Sequence, residues 1–384
     1  MNDKGDRIRV MRVISRMNIG GPAVQVSGLL RKLDSEFFDQ RLYTGFCGIN
    51  EADYLDNIAM DVTAVRIGGL GRRINLKGDA AALVTLIREI REFKPHIIHT
   101  HTAKAGFLGR IASIISLQPS IRIHTFHGHL LTGYFNPLEK FLVVSIERFL
   151  AHFTHHLLAV GNVVRNDLLN AGVGSLQKFS VMPPGLMLGP LPDKILAQKS
   201  LAIDQTSLQC AFIGRVTKIK RPDRFLDLVS EIKKRNVRIN FFIAGDGELL
   251  AECRKRITKE GLPVVLLGWQ SDIEKVLSCA DIVILTSDNE GTPLSLIQAG
   301  MAALPVVTTR VGSVSEIVLD QITGIITDST VDSLADALQN LVEDDLYRNS
   351  LGANGKQFTV ERFGVERLVN DHENLYRKLL NEHQ

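Results

Sequence analysis

The stretch LTSDNEGTPLSLIQAG (Leu285–Gly300) sets a carboxylate, Glu290, just before a Gly-x-Pro turn. A carboxylate fixed there accepts hydrogen bonds from hydroxyl groups. Gly291 and Pro293 then set up a helix expected from about Leu294 to Met301, whose unpaired N–H groups suit phosphate. Gln298, eight positions after Glu290, stands more than a turn into that helix and can reach a second polar part of the same ligand. The competing reading of Glu290 is an acid that complements the helix dipole. A second segment, FIGRVTKIKRPD, ends a strand at Gly214 and follows it with Arg215, Lys218, Lys220 and Arg221. Arginine clamps two phosphate oxygens, and lysine acts as a point charge; the bland alternative is a solvated basic loop. Cations for phosphate beside a carboxylate for hydroxyls imply a sugar phosphate or a nucleotide sugar.

Three further segments are less specific. RMNIGGPAVQ places Gly20 and Gly21 between a strand and a helix that starts near Pro22, where backbone can approach an anion or simply turn tightly. It is not G-x-G-x-x-G, so the nicotinamide fingerprint is absent. FIAGDGEL (Phe241–Leu249) reads as turn chemistry after a strand. The histidines gather in the first half, in HTH (His99–His101) and HTFHGH (His124–His129). No H-E-x-x-H or cysteine cluster completes a metal site. His101 and His124 are expected as satisfied, partly buried rings, whereas His127 lies in a turn that can present a ring or a carbonyl to a ligand.

These segments need strands that end where they begin. Short β-branched runs alternate with amphipathic stretches along the whole chain: Ile8–Ser15, Arg41–Phe46, Thr63–Ile67, His96–His101, Ile121–His127, His156–Val160 and Phe179–Met182 in the first half. The Pro- and Gly-rich Met182–Lys194 follows, and then Gln209–Val216, Ile239–Gly245, Val264–Gly268, Ile282–Ser287, Pro305–Thr309 and Gly324–Thr327. This rhythm predicts parallel sheets covered by helices on both faces, in two domains, 1–183 and 184–360, with a helical tail over 361–384. Ligands of such folds bind beyond the carboxyl ends of the strands, and two facing domains would enclose a cleft. With 45% hydrophobic residues and a net charge of +3, the composition is globular and gives no support for nucleic acid as a partner. The scattered Cys47, Cys210, Cys253 and Cys279 suit a reducing compartment. The charged N-terminus has no secretory h-region, and no apolar run is long enough to span a membrane.

In order and spacing, the Gly-Gly loop, HTHTAKAGFLGR, HTFHGH, VMPPG, GRVTKIKRPD, AGDGEL, LGW and SDNEGTPLSLIQAG resemble the retaining glycosyltransferases of group 1, family 4. In particular the chain looks like bacterial enzymes that build surface polysaccharide. The resemblance implies an α/β GT-B fold: two Rossmann-like domains, acceptor-side first and nucleotide-sugar-binding second, with parallel sheets facing across a cleft. It implies an enzyme of the hexosyltransferase type that needs no metal or other cofactor. Its co-substrate would be a nucleotide sugar, UDP-linked on family grounds, and its acceptor a glycan or polyprenyl-linked glycan. Gly20 and Gly21 would approach the diphosphate or the reacting sugar, and His127 would sit against the sugar and the acceptor. Arg215 and Lys220, after Gly214, would bind the diphosphate. Glu290 would hold the sugar hydroxyls. The turn of Gly291, Thr292, Pro293 and Leu294 would face the sugar and β-phosphate, and Gln270 would lie near the base. The leaving phosphate would help deprotonate the acceptor, and the tail helix would cross back to the first domain.

One residue departs from that pattern. The family has a second Glu where this chain has Gln298, the position that meets the ribose hydroxyls. Gln keeps one acceptor and adds two donors, and loss of the charge weakens a charge-assisted hydrogen bond without abolishing it, which puts ribose contacts and donor preference in question. Arg72, Arg73, Lys77, Tyr134, Phe135, Lys140, Phe141, Leu142, Arg148, Phe149 and Phe153 would suit an anionic membrane surface at the cytoplasmic face; the alternative packs that helix on the sheet. Two rival functions stay open: a sugar-nucleotide-binding subunit without catalysis, which only Gln298 favours, and an epimerase or phosphorylase of the same fold.

Overall fold

The computed structural model describes residues 7–49, 51–71, 74–128 and 137–383. The first elements in chain order are β1 (Ile8–Ile14), α1 (Gly21–Lys32), β2 (Phe38–Thr44), α2 (Tyr54–Asn57), β3 (Val65–Arg66), α3 (Leu76–Phe93), β4 (Ile97–His101), α4 (Ala103–Ser116), β5 (Ile121–Phe126), α5 (Pro137–Phe153), β6 (His156–Ala159), α6 (Asn162–Asn170) and β7 (Phe179–Val181). Next come α7 (Lys194–Ser200), β8 (Leu208–Ile213), α8 (Pro222–Lys234), β9 (Ile239–Ala244), α9 (Leu250–Glu260), β10 (Val264–Gly268), α10 (Ile273–Ser278) and β11 (Ile282–Leu285). The chain closes with α11 (Leu294–Met301), β12 (Val306–Thr309), β13 (Ile325–Thr327), α12 (Val331–Glu343), α13 (Asp345–Phe363) and α14 (Val365–Glu382). They form two compact units: residues Met1–Leu186 with Val365–Gln384, and Met187–Gly364.

Unit 1 is a seven-stranded parallel sheet in the order β3-β2-β1-β4-β5-β6-β7. Its strands alternate sides. Val10, Ile97 and Ile123 pack under α1 and α14 with Leu29, Leu368 and Tyr376. Met11, Val13 and Ile98 pack against α3 and α4 with Leu86, Ile90 and Leu108. The second strand begins at Phe38, three residues before the predicted start, because Phe38 to Gln40 pair in register with Ile8 to Val10. Its polar start hid that pairing. Gln40 is there for a reason: its Oε1 accepts from Nε and Nη2 of the fully buried Arg12 at 3.1 and 3.0 Å. The same guanidinium donates to the Tyr376 hydroxyl of α14 at 2.9 Å.

Unit 2 is a six-stranded parallel sheet, β10-β9-β8-β11-β12-β13. Its core joins Phe212, Phe225, Phe241, Ile284, Leu334 and Leu338. In each sheet the strand order reverses between two neighbours, β1 and β4 in unit 1 and β8 and β11 in unit 2. Loops leaving the carboxyl ends of such a pair diverge to opposite faces and leave room for a ligand.

Candidate functional site

In unit 2, the loops after β8 and β11 are laced into one piece. Thr286 Oγ1 donates to the carbonyls of Lys220 and Arg221 at 3.1 and 3.0 Å. Asp288 N donates to Ile219 O at 2.9 Å, and Arg224 bonds both Thr286 O and Asp288 Oδ1, at 2.6 and 2.8 Å. Arg221 adds bonds to Asp223 and Asp288, and these carboxylates hold its guanidinium pKa above the ordinary value, the bond to Asp223 first. This arginine is a structural clasp with its charge spent locally.

Within that frame Glu290 is buried, and its Oε1 accepts from both Lys220 Nζ and Ser287 Oγ, the latter at 2.5 Å. Both donors fall on one oxygen, and Oε2 has no hydrogen-bond partner among the described residues. The Glu290 backbone is fixed as well. Ser313 N donates to its carbonyl at 3.2 Å, and Gly312 lies so close that a Cβ there would stand 1.7 Å from that oxygen. Gly312 also has φ +51°, so glycine is required on both counts.

The helix α11 starts right after this loop, with Pro293 at its N-cap, no side-chain cap and no acid in its first turn. Leu296 N donates to Pro293 O at 3.2 Å, and the other N–H groups of the first turn keep their capacity for an anion. Arg215 is exposed, and although its carbonyl accepts from Thr217 N at 3.0 Å, its guanidinium has no ion pair or hydrogen bond among the described residues. Gly214 follows β8, and a Cβ there would touch nothing within 4 Å. The amide of Gln298 is half-buried without a partner among the described residues, while Gln270 Nε2 is turned back onto Leu267 O at 2.8 Å.

Sequence reasoning passed over Ser287, Thr217 and Ser313. Buried polar side-chain atoms normally have partners. Among the described residues of unit 2, Thr217 Oγ1, Thr292 Oγ1, Ser313 Oγ and Arg362 Nε have none. Three of the four lie in the loops around Glu290. Hydroxyls with unused capacity, a carboxylate with a free oxygen, an exposed guanidinium and an uncapped helix fit a ligand rich in hydroxyl and phosphate oxygens. Nothing in the local sequence distinguished these serines and threonines from ordinary turn residues.

In unit 1, Gly20 is the N-cap of α1, which has no side-chain cap and carries Pro22 near its start. A Cβ on Gly20 would meet nothing within 4 Å, so neighbouring protein atoms leave its surroundings open. At the carboxyl ends of β4 and β5, His101 Nδ1 and His127 Nε2 stand 3.0 Å apart. Burial pushes the His127 imidazole down to about 4 and holds His101 well below the usual range. His101 was expected to be satisfied and partly buried. It is fully buried, and its Nε2 has no partner among the described residues. His124 is also fully enclosed, bonded to Thr100 Oγ1 at 2.8 Å. His129 lies outside the described residues, as do Arg72, Arg73, Tyr134 and Phe135. Among the described residues no group of three or more His, Cys, Asp or Glu is placed to hold a metal ion, and no helix is long and apolar enough to cross a membrane.

Comparison with known proteins follows the same division. Residues 19–188 match the family model "Glycosyltransferase Family 4", and residues 193–358 match "Glycosyl transferases group 1". The UDP-Gal:alpha-D-GlcNAc-diphosphoundecaprenol alpha-1,3-galactosyltransferase of Escherichia coli is 29% identical over 334 residues, 84% of this chain and 85% of that protein. The capsular polysaccharide biosynthesis glycosyltransferase CapM of Staphylococcus aureus is 22% identical over 81% of this chain and 84% of its own. Among solved structures, Anabaena HepE in complex with UDP-glucose superposes with a TM-score of 0.79 at 18% identity, covering 97% of this chain and 99% of that one. The GT-B likeness of these neighbours agrees with the two parallel sheets described above.

Proposed function

We propose that this chain, which belongs to the group 1 and family 4 glycosyltransferases, moves a sugar from a UDP-sugar to a lipid-linked glycan with retention, in cell-surface polysaccharide synthesis. The observation that carries the reading is the Glu290 carboxylate, held through one oxygen by Lys220 and Ser287 at the mouth of an uncapped helix. Its free oxygen accepts from hydroxyls of the transferred sugar. Arg215 and the first N–H groups of α11 take the diphosphate, with the backbone of Gly291, Thr292 and Leu294 facing it. The Lys220 ammonium has three donors, so it bonds Glu290 and a phosphate oxygen together. It thereby couples the sugar grip to the leaving group.

In this reading the acceptor hydroxyl oxygen bonds to the anomeric carbon as the bond from that carbon to the phosphate oxygen breaks. The electron pair leaves with the nucleotide diphosphate, and the acceptor's proton passes to that phosphate oxygen, all on one face of the sugar. The cations stabilise charge that grows on the phosphate in the transition state. Gly20, Gly21 and His127 of unit 1 are assigned to the sugar and the acceptor, Gln270 to the base and Gln298 to the ribose. No protein-held metal is invoked, because Arg215 and Lys220 supply the positive charge. The E. coli relative, named for a UDP-sugar and a diphosphoundecaprenol acceptor, and the UDP-glucose complex of HepE support the choice of donor and acceptor.

A lipid-linked acceptor makes a membrane surface useful, and α5 supports peripheral attachment at the cytoplasmic face. Val144, Leu150 and Ala151 bury its inner side, while Phe141, Leu142, Phe149 and Phe153 are exposed beside Lys140 and Arg148. The helix is thus apolar on both sides, which packing against the sheet does not require.

The test is a transfer assay of the parent and Glu290→Ala across UDP-sugars, with polyprenyl-diphosphate-linked sugars as acceptors. The parent is expected to form product with the anomeric configuration of the donor, and Glu290→Ala to lose nearly all of it. Full activity in Glu290→Ala refutes the assignment of the sugar grip. A parent that binds UDP-sugar yet never transfers or hydrolyses it is a binding subunit.

A further inference from the structure

The buried histidines of unit 1 carry information on how His127 works. His99 and His101 lie on one face of β4 with their rings stacked at 4.3 Å. Both nitrogens of His99 are engaged, Nδ1 with the Tyr376 hydroxyl and Nε2 with Thr125 Oγ1, each at 2.7 Å. The Nδ1 of His101 meets His127 Nε2 at 3.0 Å. Since burial keeps both rings neutral near pH 7, each holds one proton, and one of the two facing nitrogens donates.

Two arrangements are open. If His127 donated from Nε2, the proton of His101 would sit on its own Nε2, a buried position with no partner among the described residues. That strands an N–H. If His101 donates from Nδ1, the stranded atom is only a lone pair. Buried donors without a partner are rarer than under-used acceptors, so the second arrangement costs less. We propose that His101 is a positioning residue: its Nδ1–H bonds His127 Nε2 and holds His127 as the tautomer protonated on Nδ1.

His127 then offers a ligand a hydrogen-bond donor and no basic lone pair. It binds an oxygen of the sugar or the acceptor and does not serve as the base, which leaves the acceptor's proton to the departing phosphate. This consequence rests on the assignment of His127 to the ligand made above. The tautomer itself does not.

The experiment uses the full chain labelled with 15N-histidine, at pH 7.5 and without ligand. His127 is identified by loss of its signals in His127→Asn, and two-bond 1H–15N correlations read which nitrogen is protonated. Nδ1–H is expected in the parent. His101→Leu should shift His127 to Nε2–H, the tautomer that a free imidazole side chain favours. His101→Asn, whose amide can place an N–H near the lost Nδ1, should keep Nδ1–H. A parent protonated on Nε2, or a tautomer unmoved by His101→Leu, overturns the proposal. In the transfer assay, His101→Leu should lower kcat/KM about tenfold, the value of one hydrogen bond, and His101→Asn should restore most of it. If the tautomer moves as expected while kcat/KM stays constant, the positioning is upheld and the contact of His127 with ligand is refuted.

Discussion

Replacing Gly20 by Ala separates what the fold asks of the loop after β1 from what a ligand asks of it. Gly20 has φ 162° and ψ 177°, extended backbone that any residue adopts, and a Cβ there would meet no heavy atom within 4 Å. Two small terms remain for the folded chain. Ala is a poorer N-cap than Gly by on the order of 1 kcal/mol, and it narrows the unfolded ensemble by about 0.4–1 kcal/mol in the opposite direction. They nearly cancel. For a unit of about 200 residues, 1 kcal/mol moves Tm by roughly 2–4 °C, so Gly20→Ala should melt within about 2 °C of the parent. Catalysis should respond differently. A methyl forced into space that a bound sugar or phosphate occupies costs about 1–3 kcal/mol, a fall in kcat/KM of roughly 5- to 150-fold. Differential scanning fluorimetry and initial rates of transfer read the two effects on one preparation. Parent-like kcat/KM would refute the close approach of ligand to Gly20. A loss of more than about 4 °C would show that the glycine serves the fold.

Gln298→Glu should change the KM for the nucleotide sugar more than kcat, because the half-buried amide is assigned to the ribose; an unchanged KM and Kd would remove it from the donor site. Transfer should continue at an undiminished rate after dialysis against EDTA, and a loss restored by a divalent cation would contradict the charge assignment to Arg215 and Lys220. Acid should destabilise unit 1 first. All eleven histidines fall in its sequence and none in unit 2, and burial depresses His99, His101 and His124, with His127 at about 4 and His372 at about 3. Below about pH 6.5 the unfolded chain takes up protons that these folded rings refuse. Calorimetry should therefore show stability that is full above pH 6.5 and lost as pH falls towards 4, and equal melting at pH 7.5 and 5 would contradict this. Sedimentation with anionic vesicles at low salt should carry the protein down, and Phe141→Ser with Leu142→Ser should weaken it; no binding of the parent sinks the membrane reading.

The α/β class was legible because the sheets are parallel and buried on both faces, so β-branched runs stand out between amphipathic helices. Strand starts were less legible where buried polar residues broke the run, as in β2, whose Gln40 answers a buried arginine on the neighbouring strand. At the candidate site, the spacing of Lys220 and Glu290 pointed to a phosphate and a sugar separately. It did not reveal that the two side chains meet, since that depends on β8 and β11 being neighbours in the sheet. Ser287 escaped for a similar reason: its role comes from one rotamer beneath Glu290. Likewise the His101–His127 pair needs adjacent β4 and β5, and the bond of Arg12 to Tyr376 joins residues 364 positions apart.

That last bond has a consequence for synthesis. The helix α14 belongs to unit 1 but follows all of unit 2 in the chain. While a ribosome makes the protein, the first 186 residues emerge without the helix that covers Val10, Ile97 and Ile123 and that supplies a partner to Arg12. Unit 2 is contiguous, so all of its sheet is available before α14 exists. Domains generally fold as units during synthesis, and here the order is inverted: unit 2 can complete its core while unit 1 waits, with one sheet face covered by α1 but not α14 and a guanidinium lacking its hydroxyl partner. Part of the apolar face of the unit 1 sheet is therefore left open until α14 is translated.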